Sequence, residues 1–221
     1  MRHHRHVRAD LDRALEFVRE QELTGWVQHL LGHRARLRMD EGDWNAAERD
    51  AREALSVQVS GGARAVDALV PLGLMQARRG ENGAEATLQE ATERAFATSE
   101  LQWIAPAAAA RAEYAWLHGD DAGAAAEAGR VLDQALAEEH PWFGGELAFW
   151  SRVAGVPVPL PSVMAQPHRL FLAGDWRAAA EAWRDIGWSY HRALALAHSG
   201  QDEAQLAALA LLDALGARQT A

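Results

Sequence analysis

The side chains best suited to chemistry are few, and most fall on helix-forming segments. His29 and His33 stand four residues apart, a spacing that puts two imidazoles on one helix face, where they could chelate zinc. No Glu fills the H-E-x-x-H place and the sequence shows no third ligand. The pair therefore reads as ordinary surface or packing histidines, and no metal or other cofactor is expected. His3, His4 and His6 could capture a metal too, but a tract of His and Arg builds no core, so residues 1–9 read as a flexible, solvated tail. Arg36, Arg78 and Glu113 could face a groove between helices, and Arg pairs there could clamp a carboxylate through both guanidinium nitrogens. Trp116, near the end of a helix, could grip a ligand by its ring, although the nine tryptophans of the chain are in general better read as core. There is no G-x-S-x-G, no cysteine nucleophile and no paired-carboxylate cleft, so no catalytic residues are assigned and an enzyme is not expected.

These side chains need elements to hold them, and one element recurs. It is an apolar-periodic helix, a glycine followed by polar residues, and an Ala-rich helix. The hinges are Gly42-Asp43-Trp44, Gly80-Glu81-Asn82, Gly119-Asp120-Asp121, Gly174-Asp175-Trp176 and Gly200-Gln201-Asp202. Glycine reaches positive φ at little cost and ends the first helix; the neighbouring Asp or Asn can accept from free N–H groups and start the second. Trp44 and Trp176 follow their hinge glycines at equivalent places and are expected to plug the gap between paired helices. Seven residues before the glycines stand Ala35, Gly73, Ala112, Pro167 and Ala193; five after stand Ala47, Glu85, Ala124, Ala179 and Gln205. Small residues on both helices allow close approach, and Glu85 and Gln205 break that pattern.

The hinges are 38, 39, 55 and 26 residues apart. The units resemble the tetratricopeptide repeat, whose period is about 34 residues, in a degenerate form. The expected fold is all-α: a TPR-like α-solenoid of antiparallel hairpins in a right-handed superhelix, its first helices lining the concave face. Residues 10–154 hold degenerate hairpins, including an extra helix at about Trp142–Ala154. Residues 155–162 form a linker, because Pro157, Pro159 and Pro161 in alternation cannot be helical. Residues 163–216 hold two further hairpins and 217–221 a tail. A first helix over Asp10–Gln21 has no hairpin partner, and no polar cap follows the last helix, which makes self-association an expectation.

Composition narrows the function classes. The net charge is −9 and no residue is Lys, so direct binding to a phosphate backbone is not expected. No cysteine means no disulfide and no thiolate metal site, and no apolar run approaches a membrane span. The all-Arg, Ala-rich usage reads as a GC-rich bacterial chain, and a cytoplasmic location is expected.

Several stretches carry a family resemblance: Glu146-Leu147-Ala148-Phe149-Trp150, Leu172 to Ala180, Gly187 to Ala197, and Leu211 to Arg218. They resemble the repeat region of large ATP-binding bacterial transcription regulators with a C-terminal LuxR-type helix-turn-helix. The resemblance implies a non-catalytic module for signal sensing, regulation of transcription and self-association, binding a small effector or a protein partner in its concave groove. The chain has no G-x-x-x-x-G-K-[ST] loop and no recognisable helix-turn-helix, so nucleotide hydrolysis and DNA binding do not carry over. The other reading is a generic TPR scaffold that binds a peptide or helix of another protein.

Overall fold

A computed structural model describes residues 2–57, 62–160 and 163–221, with side chains from residue 7 onward. Among the described residues the chain is all-helical, with twelve α-helices and no strand. Helix α1 is Arg2–Glu20. The pairs that follow are α2 (Thr24–Asp40) with α3 (Trp44–Ser56), α4 (Val66–Arg79) with α5 (Ala84–Phe96), and α6 (Leu101–Leu117) with α7 (Asp121–Ala137). Then come α8 (Pro141–Val153), α9 (Gln166–Leu172) with α10 (Trp176–Ile186), and α11 (Ser189–Ala197) with α12 (Asp202–Leu215). The helices pack in neighbouring pairs, and α2, α4, α6 and α8 also pack one on the next.

The hinges form for local reasons. Gly42 has φ 91°, its N–H bonds to the Met39 carbonyl, and the Asp43 N–H bonds to the Arg38 carbonyl. These two bonds end α2 in a Schellman motif. Asp43 then caps α3 by accepting from the Ala46 N–H at 3.2 Å. The same sequence of bonds recurs at Gly119 and Gly174, where Asp120 and Asp175 accept from Gly123 and Ala178. The other two hinges differ. No side chain caps α5 or α12, so Asn82 does not serve as Asp43 does. There the buried small residue falls one position earlier, at Ala84 and Ala204, while Glu85 and Gln205 are exposed. The break in the aligned pattern is thus a shift of register.

Elsewhere the small positions do what close approach requires: Ala35, Ala47, Ala112, Ala124, Ala179 and Ala193 are wholly buried. Trp44 is buried and its indole N–H donates to the Met39 carbonyl, whereas Trp176 is only partly buried and lies beside Arg177.

Three features depart from the sequence expectations. Helix α1 extends back to Arg2, so residues assigned to the tail lie within a helix, and Val7 and Leu11 reach the central groove. After α8, Val156 to Leu160 have no regular secondary structure, and residues 161–162 of the expected linker lie outside the described residues. A single buried cluster nevertheless runs across it, from Met39 to Ala217. Finally, the last pair returns to the first. Tyr190 packs near Trp44, with tilted rings whose centroids are 6.1 Å apart, and Leu215 sits over Gly42, where a Cβ would stand 2.9 Å from its methyl. Residues 217–221 are anchored rather than free: Ala217 is wholly buried and the Gln219 N–H donates to the Arg78 carbonyl at 3.0 Å.

Candidate functional site

The inward helices α2, α4, α6, α8, α9 and α11 enclose a groove of about 580 Å³. Small-molecule pockets generally fall within ~300–1,000 Å³. Its walls carry the rings of Trp103, Trp142 and Trp188. Trp142 lies 5.4 Å from Trp188 and 6.2 Å from Trp183, so the two walls contributed by α8 and by the turn into α11 are one aromatic surface.

Arg36 is the guanidinium in the groove lining. It donates to Asp40 at 3.0 Å and reaches Glu146 at 3.4 Å. Burial opposes its charge, but the two carboxylates more than offset this and its pKa lies above the ordinary value. The same burial raises the Asp40 and Glu146 pKa values, against the lowering effect of Arg36. With Asp67 included, the lining sets three carboxylates against one guanidinium.

Two prolines add to this surplus of acceptors. Pro71 lies inside α4 and Pro106 inside α6, and both line the groove. A proline has no N–H, so the carbonyl four residues earlier loses its helical donor. Those carbonyls belong to Asp67 and Gln102, which also line the groove. At the base, Asp40 Oδ1, Trp188 Nε1 and His191 Nδ1 are buried and take no hydrogen bond among the described residues. Such groups are costly to leave unpaired, about 1–3 kcal/mol each. Two histidines of the lining are held neutral by burial: His168, whose pKa falls to about 3, and His191, which Arg78 and Arg36 push lower still.

The residues singled out in the sequence fall in three places. Arg36 lies in the groove. Arg78 and Glu113 do not open to it: they are buried, 1% and 2% exposed, and pair at 2.7 and 2.9 Å. Tyr190 O–H donates to Glu113 at 2.7 Å, and the Arg78 guanidinium lies 3.7 Å from the centre of the Tyr190 ring. This is an interior clamp, because α11 covers the face of α4 and α6 on which both residues stand. Trp116 is partly buried against Trp150 and lies outside the groove lining. Sequence reasoning missed Asp40, Asp67, Trp103, Trp142, Trp188 and His191 as site residues. His29 and His33, read from the sequence as ordinary surface or packing histidines, also line the groove, and the two prolines within otherwise strong helices were a further local signal.

Among the described residues no helix is long and apolar enough to cross a membrane. No family model, curated protein or solved structure matches the chain.

Proposed function

We propose that the chain is a non-catalytic ligand-sensing module of TPR-like hairpins that binds a small, partly apolar ammonium compound in its central groove. One observation carries this reading: three aromatic walls surround a lining in which acceptors outnumber cations. Indole faces attract cations, more strongly when water is excluded, by about 2 kcal/mol or more. Carboxylates whose pKa burial has raised gain most from an arriving positive charge. The unpaired Trp188 N–H suits an acceptor on the same ligand. In keeping with the resemblance to LuxR-type regulators, the bound effector would be a cytoplasmic signal that shifts self-association and through it transcription. A ligand does this only by binding one assembly state better than another.

The test is a titration of tryptophan emission with compounds that share one apolar body and differ in head group. The ammonium member binds and the carboxylate member does not. Preference for the carboxylate would contradict the reading.

A second reading, a scaffold for a helix of another protein or of a second copy, has its own observation. Leu206 and Leu209 on α12 are 66% and 41% exposed, and Phe17 on α1 is 57% exposed. Light scattering over a dilution series separates the two: association that ignores every small ligand favours the scaffold.

A further inference from the structure

On the rim of the groove, beside Trp103, His29 and His33 of α2 meet Asp67 of α4. Their ligand-type atoms all lie within 4.8 Å of one another. His29 Nδ1 is 2.7 Å from Asp67 Oδ2, so this nitrogen carries the proton and donates it. A neutral ring then presents a lone pair at Nε2, which faces His33 Nε2 at 3.1 Å. Two neutral imidazoles can sit this way only by sharing the single proton that His33 Nε2 supplies. A metal ion would take the place of the Nδ1 proton, between His29 Nδ1 and Asp67 Oδ2, with His33 Nε2 3.9 Å from the same oxygen.

The dimensions fit a tetrahedral ion. Bonds of 2.0–2.1 Å to zinc place neighbouring ligand atoms about 3.3 Å apart. His29 Nδ1 and His33 Nε2 lie 2.7 and 3.9 Å from Asp67 Oδ2, values on either side of that edge. The backbone builds the arrangement. A Cβ on Gly32 would stand 2.5 Å from Asp67 Cβ and 2.9 Å from its backbone carbon, so only glycine lets α4 approach α2 closely enough to bring Asp67 to the histidines.

The geometry points to a binding site for a divalent transition metal, zinc or a neighbour in its series, held by His29, His33 and Asp67 with its remaining position open to the groove. Imidazole and carboxylate donors suit zinc, copper and nickel better than calcium or magnesium. Three protein ligands and one open position form the arrangement of a site that exchanges an outer ligand. The site shares Asp67 with the groove lining but needs neither Trp142 nor Asp40, so the cobalt bands test it apart from the ammonium reading.

Cobalt(II) serves as the probe, because in a four- or five-coordinate nitrogen and oxygen site it gives visible d–d bands. It is added to the full chain, to His33→Ala, to Asp67→Asn, and to a triple variant with His3, His4 and His6 replaced by Ala. His33 is about half exposed, so its removal leaves the core intact, and circular dichroism checks this. One equivalent of cobalt develops the bands in the full chain and in the triple variant, and zinc displaces it. His33→Ala loses them, and so does Asp67→Asn, since two ligands do not make the site. Three results overturn the proposal: no bands in the full chain, bands that survive His33→Ala, or bands that vanish with the N-terminal histidines.

Discussion

Arg78 and Glu113, 35 residues apart in sequence, meet inside the helical stack with two parallel hydrogen bonds of 2.7 and 2.9 Å. The pair ties α4 to α6, and Tyr190 ties both to α11. Taking one partner away leaves a buried charge without compensation, at a cost of about 3–5 kcal/mol. Glu113→Ala is therefore expected to lower the unfolding free energy in urea by that amount. The double variant Arg78→Met, Glu113→Leu removes both charges and is expected to lose far less, because an apolar pair of similar volume often replaces a buried ion pair without loss.

The last five residues complete this clamp. Gln219 donates from its backbone to the Arg78 carbonyl and from its side chain to the Leu117 carbonyl, and the Thr220 hydroxyl meets Tyr190 at 3.1 Å. Deleting residues 217–221 removes these bonds and uncovers the buried Ala217 position. Each hydrogen bond contributes about 1 kcal/mol, so a loss of ~2–3 kcal/mol is expected, read by calorimetry as a lower Tm.

Hairpin caps offer a graded comparison. Asp175 accepts from the Ala178 N–H at 3.0 Å, and Asn82 makes no such bond. Asp175→Ala is expected to cost about 1 kcal/mol in denaturant unfolding. Asn82→Ala is expected to leave the midpoint unchanged.

Acid stability should follow the buried histidines. Burial lowers the His168 pKa to about 3, so between there and an unfolded value of about 6.5 the unfolded chain binds the proton and the folded one does not. Stability is complete above pH 6.5 and falls by about 1.4 kcal/mol per pH unit below it for each such group. His191 shifts in the same direction. His168→Phe, which keeps a ring but does not titrate, is expected to flatten the slope between pH 4 and 6, measured by urea unfolding at each pH.

What was legible in the sequence is what local chemistry decides. Gly42, Gly119 and Gly174 with their following Asp residues announce the hairpins because both the positive φ and the cap bond involve residues a few positions apart. The site depends on contacts across many residues. Asp67 reaches His29 over 38 residues of chain, through a gap that the missing side chain of Gly32 leaves, and helical spacing does not encode such a meeting. Arg78 and Glu113 stand on first helices, as the repeat pattern implied, but the return of Tyr190 to that face turned a possible groove wall into interior.

The groove, with its indole walls and its surplus of carboxylates, is proposed as a site for cationic, partly apolar ligands. Its most direct test is a calorimetric screen of fragment-sized ammonium, carboxylate and neutral compounds against the full chain, repeated on Asp40→Asn and on Trp142→Ala, whose ring is 38% exposed and outside the packed interior. The expected result is saturable binding confined to ammonium compounds, one site per chain, weakened about tenfold or more by either variant, since one lost buried charge contact or cation–π wall is worth ~1.4 kcal/mol or more. Binding that prefers carboxylates, or ammonium binding that both variants leave unchanged, would contradict it.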